Sequence, residues 1–212
     1  MKKLLVAALM MYTILTLSGC GDGGSSPPPV VVTQVVTQIP STLAFDGDIL
    51  NGSTVSPLNA PSLFAGIDPF TLSEYRAFLV FPLTGVGGVP GSALIDAATL
   101  DIFINSIILH PSASSIPIRI ELVAYPPQTL QPLYYDRNFL PPLAFTTITI
   151  SSANVLRNVR IDVTSLMVEA QRRGLPDFQI RILEDDFFVF RGLIEIDDAT
   201  INRAPLLTVT YH

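Results

Sequence analysis

An all-β fold is predicted for this chain: an antiparallel two-sheet β-sandwich, jelly-roll-like, with one short helix near residues 164–173. Three observations lead there. Short apolar runs alternate with period two, which puts one side chain in two on a buried face. Turn residues break these runs at short intervals, and the 18 prolines of the chain oppose long helices. Only one window combines helical spacing with start and stop signals.

In chain order, Val30–Pro40 is uncharged and β-prone and reads as an edge strand or a linker. Tyr75–Phe81 is apolar or aromatic at nearly every position. In Thr99–Ile104, Leu100, Ile102 and Ile104 share one face, with Asp101 and Phe103 on the other. Ile118–Tyr125 sets Ile118, Ile120, Leu122 and Ala124 against Arg119, Glu121, Val123 and Tyr125. Val159, Ile161 and Val163 point inward from the next run, and Phe178, Ile180 and Ile182 from the one after. Phe187–Ile194 and Leu206–Tyr211 complete the strands. The helix is expected from Ser165 to Arg173: Thr164 would cap it, Leu166, Met167 and Ala170 fall on one face, and Gly174 with Pro176 stops it. Strands with one apolar face pack as antiparallel sheets face to face.

The chain divides into three parts. Residues 1–19 read as an export leader: Lys2 and Lys3 come first, Leu4–Leu17 is apolar, and Ser18 and Gly19 are small. The apolar run is shorter than the roughly 18 residues a membrane span needs. Leu17-Ser18-Gly19-Cys20 resembles the lipobox of bacterial lipoproteins, which implies removal of the leader and lipidation of Cys20, the single cysteine. Residues 20–40 are then the anchor, a Gly/Ser/Pro tether and the edge strand, and residues 41–212 the folded domain. Gly21 follows the cysteine and Asp22 stands one place further. That arrangement departs from an inner-membrane retention signal and points to the outer membrane.

Charge narrows the partners. Lys2 and Lys3 leave with the leader, so ten cations, all arginine, face 18 acids, a net of −8. An acidic domain without a basic stripe is not a nucleic-acid binder. Anionic lipid would repel it, so the membrane partnership runs through lipidated Cys20. With two histidines and no free thiol, sites for zinc or copper are not expected, and a metal would be a hard cation such as calcium.

Several motifs occur in a recognisable order: Asp46-Gly47-Asp48, Asn51-Gly52-Ser53, Tyr75–Phe81, Gly91–Leu100, Pro117–Ile120, Ile161–Leu166 and Arg203–Tyr211. Over Phe45–Tyr211 the chain resembles the DNRLRE-domain family of secreted bacterial β-sandwiches, which includes carbohydrate-binding modules. The resemblance implies a sandwich and a polysaccharide ligand. Two departures stand against it: the string that names the family does not occur, and there is no tryptophan to stack on a sugar.

Tyr134, Tyr135, Asp136 and Arg137 form the candidate ligand surface, because tyrosine stacks while Asp and Arg bond hydroxyls or carboxylates. The alternative is a loop whose tyrosines fold back over the edge of the sandwich. Asp46, Asp48 and Asn51 gather oxygen ligands for a structural calcium, or else bond the local backbone of a solvated turn. Glu184-Asp185-Asp186 and Asp197-Asp198 read as charged loops that keep an edge from pairing. No nucleophile elbow is present and His110 precedes Pro111 in a loop without an obvious nucleophile nearby, so a non-catalytic protein is expected. Two functions stay open. One is a lipid-anchored module that binds extracellular or envelope polysaccharide; the other is a structural or adhesive lipoprotein that binds another protein.

Overall fold

The computed structural model describes residues 33–57, 59–185 and 191–212. The leader, Cys20 and the tether as far as Val32 lie outside the described residues, as do Asp186 and Phe187–Phe190. Thr33–His212 forms one compact unit.

Among the described residues twelve strands are joined by hydrogen bonds into one antiparallel sheet. They are β1 (Val35–Pro40), β2 (Gly47–Leu50), β3 (Thr54–Val55), β4 (Ser62–Ile67), β5 (Glu74–Pro82) and β6 (Ile95–Leu109). β7 (Ser115–Val123), β8 (Ala144–Ser151), β9 (Arg157–Asp162), β10 (Asp177–Glu184), β11 (Gly192–Asp197) and β12 (Leu206–Tyr211) follow. The main path runs β1-β12-β6-β11-β4-β5-β10-β7-β8; β2 adds to β5 and carries β3, and β9 adds to β6. The sheet curls as a half-barrel around its core. β6 makes this possible. Its 15 residues pair with β12 over Ile95–Asp101 and with β11 over Ile104–Leu109, so one strand serves two parts of the sheet.

Period two reads out as expected inside the curl. Leu100, Ile102 and Ile104, then Ile118, Ile120 and Leu122, then Phe178, Ile180 and Ile182 are all fully buried in the main core. Helix α1 (Thr164–Arg172) closes this core with Leu166, Met167 and Ala170. Its start differs from expectation. Thr164 is the first helical residue rather than the cap; its hydroxyl donates to Asp162 Oδ1 at 2.6 Å and accepts from the Ala98 amide at 2.9 Å. Asp162 Oδ1 accepts the Thr164 amide at 2.9 Å, so the aspartate satisfies a first-turn donor.

The outer faces of β5, β7 and β10 differ more. Arg76, Arg119, Glu121, Gln179 and Arg181 point away from the main core and are nevertheless buried. The cause is the segment between β7 and β8, which folds back over them. A second apolar cluster lies beneath it: Ile49, Phe78, Val80, Val123, Tyr125, Tyr134 and Leu140.

Candidate functional site

The expected ligand loop is bolted to the sheet. Tyr134 is 6% exposed, its ring 4.9 Å from that of Tyr125 and 6.2 Å from that of Phe139. Its carbonyl accepts from Arg181 Nη1 at 2.8 Å. The Arg76 guanidinium lies 3.9 Å from the centre of the Tyr135 ring and donates to the Tyr135 carbonyl. Asp136 Oδ1 accepts the Asn138 amide at 2.8 Å and closes a turn. Arg137 Nη2 lies 2.8 Å from Glu121 Oε1. Of the two readings for this loop, the geometry is that of tyrosines folded back over the sheet. Their polar neighbours hold the loop in place.

The Asp46, Asp48 and Asn51 side chains do not converge. Asp46 Oδ1 accepts the Val80 amide at 2.8 Å, Asp48 Oδ2 the Phe64 amide at 3.1 Å, and Asn51 Oδ1 the Glu74 amide at 2.8 Å. Each oxygen satisfies a backbone donor near the end of a strand pairing. β4, for instance, meets β5 only at Gly66 and Ile67, and Phe64 lies beyond that contact. Among the described residues no group of three or more His, Cys, Asp or Glu is arranged around a common metal position.

The acids beyond β10 and β11 also depart from expectation: Glu184, Asp197 and Asp198 are buried, each no more than 4% exposed. Glu184 Oε2 accepts the amides of Ile67 and Gly192, both at 3.2 Å, and stitches β4 to β11. Burial pushes its carboxyl up to about 7. The Asp198 side chain faces that of Asp46, and Ser41 lies beside both. Burial, then the facing Asp46, pushes Asp198 up to about 8; burial pushes Asp46 up to about 6. Asp46 Oδ2 and both Asp198 oxygens are buried without another partner. Two carboxyls so placed oppose each other's ionisation.

Two of the concavities among the described residues carry acidic side chains. One is a groove of about 570 Å³ on the outer face of β1, β12, β6 and β9. Cross-strand register builds it. Gln38, Thr208 and Thr99 stand side by side, and one row further Asp101 faces Arg160, whose Nε donates to Asp101 Oδ1 at 3.1 Å. Asn158 extends it. Phe103 lies on the same face of β6, covered by the Arg203 guanidinium 4.3 Å above its ring. The other is a cleft of about 700 Å³ that Asp48, Phe64, Tyr75 and Glu195 line. Sequence reasoning missed both. The groove residues are ordinary outward positions of strands far apart in the chain, and only register brings them together.

No protein-family model matches this chain, and no curated protein matches it either. The groove is thus read by its own chemistry. It offers hydroxyl, amide, carboxylate and guanidinium groups on a rigid sheet, the set that bonds a hydroxyl-rich ligand.

Proposed function

We propose that this protein is a non-catalytic lipoprotein of the bacterial envelope, held through Cys20 at the outer membrane, that binds polysaccharide. The curled sheet acts in this reading as a sandwich-type, carbohydrate-binding-module-like scaffold. The observation that carries it is the groove: Gln38, Thr99, Asp101, Asn158, Arg160 and Thr208 present donors and acceptors on adjacent strands about 4.8 Å apart. That spacing suits successive hydroxyls of a glycan chain, with water bridging the wider gaps. Calcium is not required in this reading, because Asp46, Asp48 and Asn51 each turn an oxygen to a different backbone amide.

The test is affinity-gel retardation of the mature chain without Cys20 over neutral and acidic polysaccharides, with calcium and with chelator. Retardation by at least one polysaccharide, unaffected by chelator and lost in an Asp101→Ala, Arg160→Ala double variant, is expected. Free migration through every gel refutes it.

One observation favours a second reading, a protein-binding surface lipoprotein. β1 pairs with β12 on one side and with no other described strand, and Val35 and Val36 are 43% and 62% exposed. An open edge accepts a partner's strand. Cross-linking in intact envelopes from a residue placed at Val36 would trap that partner; recovery of the protein alone would set this reading aside.

A further inference from the structure

We propose that the cleft between the β2–β3 hairpin and β4 is a separate small-molecule site, and that it takes an organic cation with an apolar body. Its volume of about 700 Å³ lies within the roughly 300–1,000 Å³ of pockets that enclose small ligands. Leu50 and Val55 line it from the hairpin. Phe64 of β4 and Tyr75 of β5 supply a pair of rings with centroids 5.6 Å apart, inclined at 51°. It shares no lining residue with the polar groove.

Charge decides the class of ligand. The charged side chains that line the cleft are Asp48 and Glu195; no Lys, Arg or His lines it among the described residues. The two acids reach it from opposite sides of one residue. Asp48 accepts the backbone amide of Phe64, and Glu195 is the cross-strand partner of Phe64 on β11. Glu195 is held in place by the Ser106 hydroxyl, which donates to its Oε2 at 2.8 Å. A carboxylate on each flank beside two aromatic rings makes a site that attracts positive charge and repels anions. The apolar walls reward a hydrocarbon body rather than a bare ion. The mature chain has no lysine of its own to place there. A primary or quaternary ammonium on an aryl or alkyl body satisfies all of these features.

The experiment is calorimetric titration of the full chain in non-ionic detergent with phenethylammonium and with its neutral counterpart, 2-phenylethanol. The cation should bind at least tenfold more tightly than the alcohol. Glu195→Gln, at a half-buried position, should weaken the cation at least fivefold. Asp48→Asn, which keeps an acceptor for the Phe64 amide, should do the same, with circular dichroism confirming the fold of both variants. Arg160→Ala in the groove should leave the cation's affinity unchanged, so that this site and the polysaccharide groove fail or succeed separately. Equal binding of the alcohol, no binding of the cation, or a folded Glu195→Gln that binds as the parent would overturn the proposal.

Discussion

Arg181 and Glu121 stand directly opposite each other on β10 and β7, both side chains fully buried, with Arg181 Nη2 2.6 Å from Glu121 Oε2. Arg119 Nε and Arg137 Nη2 reach the other oxygen of Glu121, each at 2.8 Å. Arg181 also donates to the carbonyls of Tyr134 and Leu140, at 2.8 and 3.0 Å. One ion pair therefore ties the crossing segment to the sheet. Breaking a buried pair leaves an uncompensated charge and costs about 3–5 kcal/mol. Arg181→Met should lose about 3 kcal/mol in urea unfolding, because Glu121 keeps Arg119 and Arg137 but the buried Tyr134 and Leu140 carbonyls lose their donor. Glu121→Gln should lose at least as much, because three arginines would then face a neutral group.

Stability should fall as pH rises from about 5 to 8. Burial raises Asp46 and Asp48 to about 6, Glu184 to about 7 and Asp198 to about 8. Groups whose pKa is higher in the folded state bind protons more tightly there. Their contribution is complete below the unfolded value near 4 and is lost as pH passes through the folded values. The opposite limb comes from Asp68, Asp162 and Glu169. Hydrogen bonds from the Phe70 amide, the Thr164 hydroxyl and Arg172, respectively, hold these carboxyls low, so their help is lost in stronger acid. Thermal unfolding from pH 3 to 9 should give a maximum between about 4 and 6.

The same pair yields a stabilising substitution. Asp198→Asn removes the charge that Asp46 opposes and keeps the shape. Each pKa unit is worth about 1.4 kcal/mol, so the variant should gain about 1–3 kcal/mol at pH 8 and nothing at pH 5. A loss at pH 8 would mean that the buried pair is held by something other than a proton.

Gly66 should tolerate no side chain. It has φ of +113°, and a Cβ there would lie 2.2 Å from the carbonyl oxygen of Gly192 on β11. The obstacle is backbone, so relief requires the β4–β11 ladder to shift. Gly66→Ala should lose at least about 2 kcal/mol in urea unfolding, against a near-neutral Gly91→Ala in open space.

What could be read beforehand depended on whether the cause was local. Leu100, Ile118 and Phe178 declare their buried face through alternation alone, and the helix through its spacing and its stop at Gly174. The second face of β7 and β10 could not be read this way. Arg119, Glu121, Gln179 and Arg181 look like solvent-facing positions until the segment after Tyr125 is seen to cross them, and their mutual charge complementarity needs the register of β7 against β10. Strands β2 and β3 carry too few residues to show a period, and in β4 apolar residues fall on both faces, with Phe64 beside Leu63 and Ala65. Asp46 and Asp48 were legible as an acidic pair. Their partners, Asp198 and the Phe64 amide, stand far off in the chain, and nothing local announces them.

The loop and the groove can be told apart by pairing folding with binding. Tyr134 is packed against Tyr125 under the crossing segment. Truncating a buried aromatic costs about 3–5 kcal/mol, so Tyr134→Ala should unfold at much lower urea whatever its effect on ligand. At the groove Thr208 is half-buried and Asn158 is exposed. Thr208→Ala and Asn158→Ala should change stability by less than about 0.5 kcal/mol and yet reduce polysaccharide retardation. Retardation that persists in both, and in Asp101→Ala, but disappears in a folded Tyr135→Ala would return the ligand surface to the tyrosine loop.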